Sequence, residues 1–252
     1  MATFFGEVLP VTNRAYNDAE DDEEATHDFS NPFTITFSSE EGNLSADTVI
    51  LACGHFATAY VDCLLPADCP LLATVELARR SEPDGDALRR PAPAARLYRL
   101  GPRTCVARCD SVLADDHHYW LAETVLSQFE GATRVVALGS APLAEYLSSA
   151  APYEERPSLL VRCLATSQCK LPPLLTSLEP PNVVKGTPAA VLSRCCLARR
   201  AACLLMLYTS ALRPDAETAA ALHGALSAVV PAVGDLRPRP TRPPADAPHI
   251  YM

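Results

Sequence analysis

Lysine is nearly missing from this chain of 252 residues: only Lys170 and Lys185 stand among its 21 basic side chains, against 30 acidic ones. Without a basic stripe there is no electrostatic footprint for phosphate backbones, and a nucleic-acid partner is excluded. Long apolar runs are also missing. The longest, Ala201–Tyr208, is strand-sized and far short of the ~18–20 residues that span a bilayer, so membrane insertion is not expected. The opening MATFFGEVLP has no basic n-region and no long apolar core, so no signal peptide is expected. The sequence has no CxxC pair, no GxGxxG or GxxxxGK[ST] phosphate loop and no GxSxG nucleophile elbow.

The charge that is present is unevenly placed. Of the formal net charge of −9, residues 1–28 hold −7, from eight acids against Arg14 alone. The body is therefore nearly neutral. The acidic stretch has no hydrophobic periodicity and is expected to be disordered and solubilising, which sets a segment 1–29 apart from the folded part. Ten cysteines occur without an export signal, several of them inside apolar segments such as VILACG and AACLLML. They read as reduced, mostly buried thiols of a cytoplasmic protein, and neither a zinc site nor a cofactor is expected.

The pattern along residues 30–230 is that of one α/β domain, a mixed β-sheet sandwiched by helices. Strands are expected at 33–39, 47–54, 133–140, 157–166 and 201–210, with a hairpin over 96–113 around Gly101-Pro102. Helices are expected at 55–65, 116–129 and 214–230, with Asp115-Asp116 opening the second. Another should run from Thr187, as N-cap before Pro188, to Arg200. Residues 81–95 and 167–181 read as loops. From Pro231 to Pro248 six of eighteen residues are proline, so residues 231–252 read as a semi-extended tail ending in His249-Ile250-Tyr251-Met252.

Candidate chemistry is sparse. Gly54-His55 and Gly139-Ser140 each follow a buried strand, at strand-to-helix turns where ligands gather in α/β folds, and an enzyme acting on a small molecule would use them. Asp115, Asp116, His117 and His118 are dense in ionisable groups. Adjacent helical side chains diverge by about 100°, however, so this cluster reads as a solvated helix start rather than a metal site. Cys195 and Cys196 diverge for the same reason. No constellation makes a reaction centre, and the sequence reads as that of a binding protein. The tail offers an apolar residue before a tyrosine with a carboxylate one residue later, the features of terminal-carboxylate capture.

Several segments together resemble the proteasome assembly chaperone 1 family. These are ATFFGEV (2–8), LADDHHYWLAETV (113–125), LEPPNVVKGTPAAVLSRC (178–195), CLLMLYTS (203–210) and the closing IYM. The resemblance implies a non-enzymatic chaperone of the cytoplasm, extending to the nucleus or the endoplasmic reticulum. It would pair with proteasome assembly chaperone 2 as a heterodimer, bind proteasome α subunits and promote assembly of the core-particle α ring. It also implies that Ile250, Tyr251 and Met252 form a hydrophobic-Tyr-X motif docking into a pocket between neighbouring α subunits.

Overall fold

The computed structural model describes residues 30–38, 44–78, 93–109, 113–114, 117–148 and 157–239. The expectations for the acidic segment and for Ile250, Tyr251 and Met252 fall outside these residues. So do Asp115 and Asp116.

Eight strands form one mixed sheet. They are β1 (Phe33–Phe37), β2 (Thr48–Cys53), β3 (Leu71–Leu77), β4 (Ala95–Gly101), β5 (Thr104–Cys109), β6 (Arg134–Pro142), β7 (Leu159–Ala165) and β8 (Ala202–Thr209). Their order across the sheet is β1-β3-β4-β5-β2-β6-β8-β7. The central run β5-β2-β6-β8 is parallel, whereas β1, β3 and β4 on one flank and β7 on the other join antiparallel. The patterning explains the placement. β2 and β8 are continuous apolar runs buried on both faces, as strands under two helical layers must be. Edge strand β1 instead alternates between sheltered and exposed positions.

The helices are α1 (His55–Leu64), α2 (His117–Ser127), α3 (Gly186–Leu197), α4 (Ala216–Val229) and the short α5 (Pro231–Gly234). α2 and α3 cover one face, where Leu121, Val125, Val191 and Cys195 meet Val135, Ala137 and Leu204. α1, α4 and α5 cover the other, where Tyr60, Leu222, Leu226 and Val233 meet Ile50, Val136, Leu138 and Leu205. The alternation of odd and even strand positions between two cores is the pleat expressed in packing. This is the α/β sandwich expected from the sequence.

One strand goes unmarked in the sequence and four expectations are corrected. The sequence pattern marks no strand at β3, although Ala73 and Val75 are fully buried in it. Gly139 and Ser140 do not form a turn. They lie inside β6, opposite Met206 and Leu207 of β8, and the strand continues to Pro142. Thr187 is not the N-cap of α3: Lys185 precedes the helix, and Thr187 is buried in its first turn. At α4, Asp215 rather than Pro214 marks the start. Its carboxylate accepts from the Thr218 N–H, and the Thr218 hydroxyl accepts from the Asp215 N–H, a reciprocal capping box. Finally, the chain does not leave the domain at Pro231. Proline suits the first position of a helix, α5 forms there, Val233 is buried, and the Arg239 N–H donates to the Cys63 carbonyl at 2.8 Å.

Candidate functional site

The carboxyl ends of the parallel strands β2, β6 and β8 gather the features that the sequence singled out. Gly54 ends β2 with φ 86°, a conformation that glycine takes without strain. A β-carbon there would meet the Ser140 Oγ at 3.6 Å, so the turn after β2 does lie beside Ser140. His55, however, is exposed with its ring edge-on to Phe56 at 5.9 Å, and among the described residues no hydrogen bond joins it to Ser140. The neighbouring Gly139 has a packing reason. A β-carbon there would stand 2.6 Å from the Met206 Sδ and 3.0 Å from the Pro188 Cγ, so glycine lets α3 approach the sheet.

The two histidines are not on a solvated face. His117 meets the ring of Phe33 edge-on at 5.9 Å, and the His118 Nδ1 lies 2.8 Å from the Thr187 Oγ1. Both are half-buried, and His118 joins α2 to α3. The Arg194 guanidinium ties the same helices together through a bidentate contact with the Glu123 carboxylate. That contact raises Arg194 above the usual guanidinium range. Cys195 and Cys196 do diverge, the first into the core and the second to solvent. Among the described residues no group of three or more His, Cys, Asp or Glu is placed to hold a metal ion, and no helix is long and apolar enough to cross a membrane.

The stretch 178–195, which carries much of the resemblance, has a visible structural job. Tyr146, 2 % exposed, donates its hydroxyl to the Glu179 carboxylate and accepts from the Arg162 Nε at 3.0 Å. The Arg162 guanidinium also lies 5.2 Å from the centre of the Tyr146 ring, which packs against Tyr208 of β8 at 5.1 Å. The Tyr146 hydroxyl is the main reason that the Glu179 carboxyl sits below its ordinary range, with Arg162 adding to it. Burial, with the Glu179 hydrogen bond behind it, pushes the Tyr146 hydroxyl up. Three residues on, Asn182 clamps the backbone of Leu147 both ways, accepting from its N–H and donating to its carbonyl, each at 2.8 Å.

This polar frame holds two apolar side chains in water, Leu147 at 52 % and Val183 at 73 % exposure. Rigid backbone beneath exposed apolar side chains suits a surface that another protein covers. Glu179, Asn182 and Val183 lie in the 178–195 segment that carries the resemblance, but no motif in the sequence points to Leu147, Tyr146 or Arg162 or to an exposed apolar pair. Beside the resemblance, the Glu179-Pro180-Pro181-Asn182 run is a loop composition with a clamp-forming amide at its end.

The described chain ends at Arg239, fixed at the carboxyl end of α1. Ile250 is eleven residues farther along. Covalent geometry limits that separation to about 40 Å, shorter than a tail leaving at Pro231 would allow.

Comparisons with known proteins agree with this architecture. The family model described as Proteasome assembly chaperone 4 matches residues 1–239. The proteasome assembly chaperone 1 of Danio rerio is 29 % identical, with 91 % of each chain covered. That of Xenopus laevis is 30 % identical, with 90 % of this chain and 88 % of its own length covered. Among solved structures, PbaA of Pyrococcus furiosus, described as an archaeal homologue of proteasome-assembly chaperone, superposes with a TM-score of 0.56. It is 16 % identical, and the match covers 78 % of this chain and 80 % of PbaA. The chain belongs to the proteasome assembly chaperone 1 family.

Proposed function

We propose that this chain promotes assembly of the proteasome core particle as one half of a heterodimer with a proteasome assembly chaperone 2 partner. In this reading the α/β body binds proteasome α subunits while their ring forms. The segment beyond Arg239 carries Ile250, Tyr251 and Met252 into a pocket between two neighbouring α subunits. The observation that carries the reading is family membership along residues 1–239, with the hydrophobic-Tyr-X sequence lying just beyond.

The physical argument is one of avidity. A three-residue anchor is weak by itself, but tethering it within about 40 Å of a body already bound makes its docking intramolecular. Tyr251 would supply apolar area and one hydroxyl, which favours a defined pocket. The near-neutral body suits a protein–protein contact whose specificity comes from shape and a few polar anchors.

The test is affinity capture from cells of the tagged chain and of a version lacking Ile250–Met252, with quantitative mass spectrometry. Both should recover proteasome assembly chaperone 2, and the shortened chain should retain at least several-fold less of the α subunits. Tyr251→Ala should reproduce that loss. Equal retention by both versions would remove the tail from the mechanism. Failure of the intact chain to recover either α subunits or chaperone 2 would overturn the reading as a whole.

A further inference from the structure

We propose that the outer edge of β1 pairs antiparallel with β1 of a second copy of this chain, centred on Ile35, so that two sheets join into one. The chaperone reading makes no use of this edge, and the inference goes beyond it.

The two edges of the sheet, β1 and β7, are treated differently. At β7 the Cys163 N–H donates to the Thr176 carbonyl at 3.0 Å, and the Cys163 carbonyl accepts from the Leu178 N–H at 2.8 Å. The segment around Ser177 therefore lies along that strand. The Arg162 guanidinium donates to the Val161 carbonyl at 3.1 Å and sets a charge on the same edge. Covering segments, charges, prolines and bulges are the usual means of blunting an edge against another chain. β1 has none of the last three: its five residues, FTITF, carry no charge and no proline, and its register against β3 is unbroken.

The ladder shows which backbone groups face outward. The Ser38 N–H donates to the Leu72 carbonyl at 2.9 Å, and the Ala78 N–H donates to the Pro32 carbonyl at 2.6 Å. With Phe33 opposite Leu77 and Phe37 opposite Ala73, antiparallel alternation turns the backbone groups of Thr34 and Thr36 towards β3. Those of Ile35 and Phe37 point away from the sheet. Among the described residues no hydrogen bond reaches them.

The sequence of the strand selects the occupant. FTITF reads the same in both directions. Antiparallel pairing about Ile35 therefore sets Ile35 against Ile35, Thr34 against Thr36 and Phe33 against Phe37 of the other copy. β-branched, Thr–Thr and aromatic pairs are the favourable cross-strand combinations, and here one register supplies all of them. Each Ile35 N–H donates to the Ile35 carbonyl opposite. Phe33, Ile35 and Phe37 line the face that packs on the first core, with Ile35 and Phe37 only half-buried, so the second copy extends that apolar face. Thr34 and Thr36 stay on the exposed face. The surface around Leu147 and Val183 is held from β7 and β8 through Arg162 and Tyr208, at the other edge of the sheet. Self-pairing at β1 leaves it open to a different partner.

A five-residue edge makes a small contact, so the association should be weak and dependent on concentration. Sedimentation velocity of the full chain, kept reduced, over roughly a hundredfold range up to about 0.5 mM should show monomer passing to dimer and to nothing larger, because a two-fold contact closes on itself. In the same series amide exchange at Ile35 and Phe37 should slow several-fold, and that at Thr34 and Thr36, already bonded to β3, should change less. Thr34→Lys with Thr36→Lys sets like charges opposite each other twice and should raise the dissociation constant about tenfold. Thr34→Glu with Thr36→Glu should do the same. An equal mixture of the two variants should associate at least as tightly as the parent, a recovery that a folding defect in either cannot give. A chain that stays monomeric throughout, species larger than a dimer, exchange at Ile35 and Phe37 that ignores concentration, or no recovery on mixing would overturn the proposal. So would slowed exchange there only when proteasome assembly chaperone 2 is added, which would give the edge to that partner. The measurement uses the purified chain alone, so its failure is distinct from failure to capture α subunits.

Discussion

Removing the Tyr146 hydroxyl isolates what one buried polar group does for the surface above it. Tyr146→Phe keeps the ring on Tyr208 but takes the tyrosine donor from Glu179 and the phenolic acceptor from the Arg162 Nε. Loss of a hydrogen bond to a charged group predicts a destabilisation of about 1.5 kcal/mol at neutral pH, read as a lower urea midpoint at unchanged slope. The pH dependence has a definite sign. The Glu179 carboxyl is depressed in the folded chain, so its contribution is complete above its ordinary value of 4.5 and is lost as pH falls below that through the folded value. Tyr146→Phe raises the folded value, so the variant should lose less of its stability than the parent does over that acid range. An equal or steeper decline in the variant would contradict the assignment of Tyr146 as the main cause. None of this is readable from sequence, because Tyr146, Arg162 and Glu179 come from three separate segments with no shared periodicity. Gly139 shows the same limit. A glycine after an apolar run reads as a turn, and only the packing of Pro188 from a later helix shows that it is a strand residue kept small.

Helix ends dominate the next scale, and two arginines serve them. The Arg200 guanidinium donates to the Leu126 carbonyl at 3.4 Å and to the Phe129 carbonyl at 2.5 Å, at and just past the carboxyl end of α2, where each carbonyl also accepts one backbone N–H. Arg134 does the same for the Val229 carbonyl at the end of α4. Arg200→Met keeps the apolar stem and removes the donors. It should cost about 1–2 kcal/mol, and amide exchange in the last turn of α2 should quicken by about 5–30-fold relative to α4. Equal acceleration in both helices would mean global rather than local loss. The elements themselves are largely legible. Continuous apolar runs mark β2, β6 and β8, and helical spacing marks α1, α2 and α4, because burial on two faces or one stripe leaves those patterns in any sequence. β3 is hidden since Leu71–Leu77 lies between a proline-ended helix and a loop-like run and has only two fully buried side chains. α5 is hidden by averaging. Six prolines in eighteen residues look like a linker, yet Pro231 alone stands where a helix begins, and apolar Val233 and Leu236 follow it.

The folded domain reaches farther along the chain than its composition suggests. Val233 is fully buried, Leu236 packs on the same cluster, and Arg239 is bonded to the end of α1. Residues 231–239 therefore belong to the domain, and the proposed docking residues follow them in the sequence. Two truncations should behave differently. Removing 240–252 should leave the thermal midpoint of the chain unchanged while reducing its retention of α subunits as sharply as loss of Ile250–Met252 does. Removing 231–252 loses the burial of Val233 and part of Leu236, and it strips cover from the cluster around Leu226, Val229 and Val230 at the end of α4. That is worth about 2–4 kcal/mol, a drop of roughly 5–15 °C for a domain of this size. If the shorter deletion also lowered the midpoint by several degrees, the segment after Arg239 would be part of the fold, and loss of retention could not be assigned to docking. Stability unchanged in both would instead put α5 outside the cooperative unit and restore the boundary at Pro231. The distinction matters for the proposed heterodimer as well. α1, α4 and α5 share one core, so a chain cut at 230 would present an altered face to any partner that covers it, whereas one cut at 239 would not.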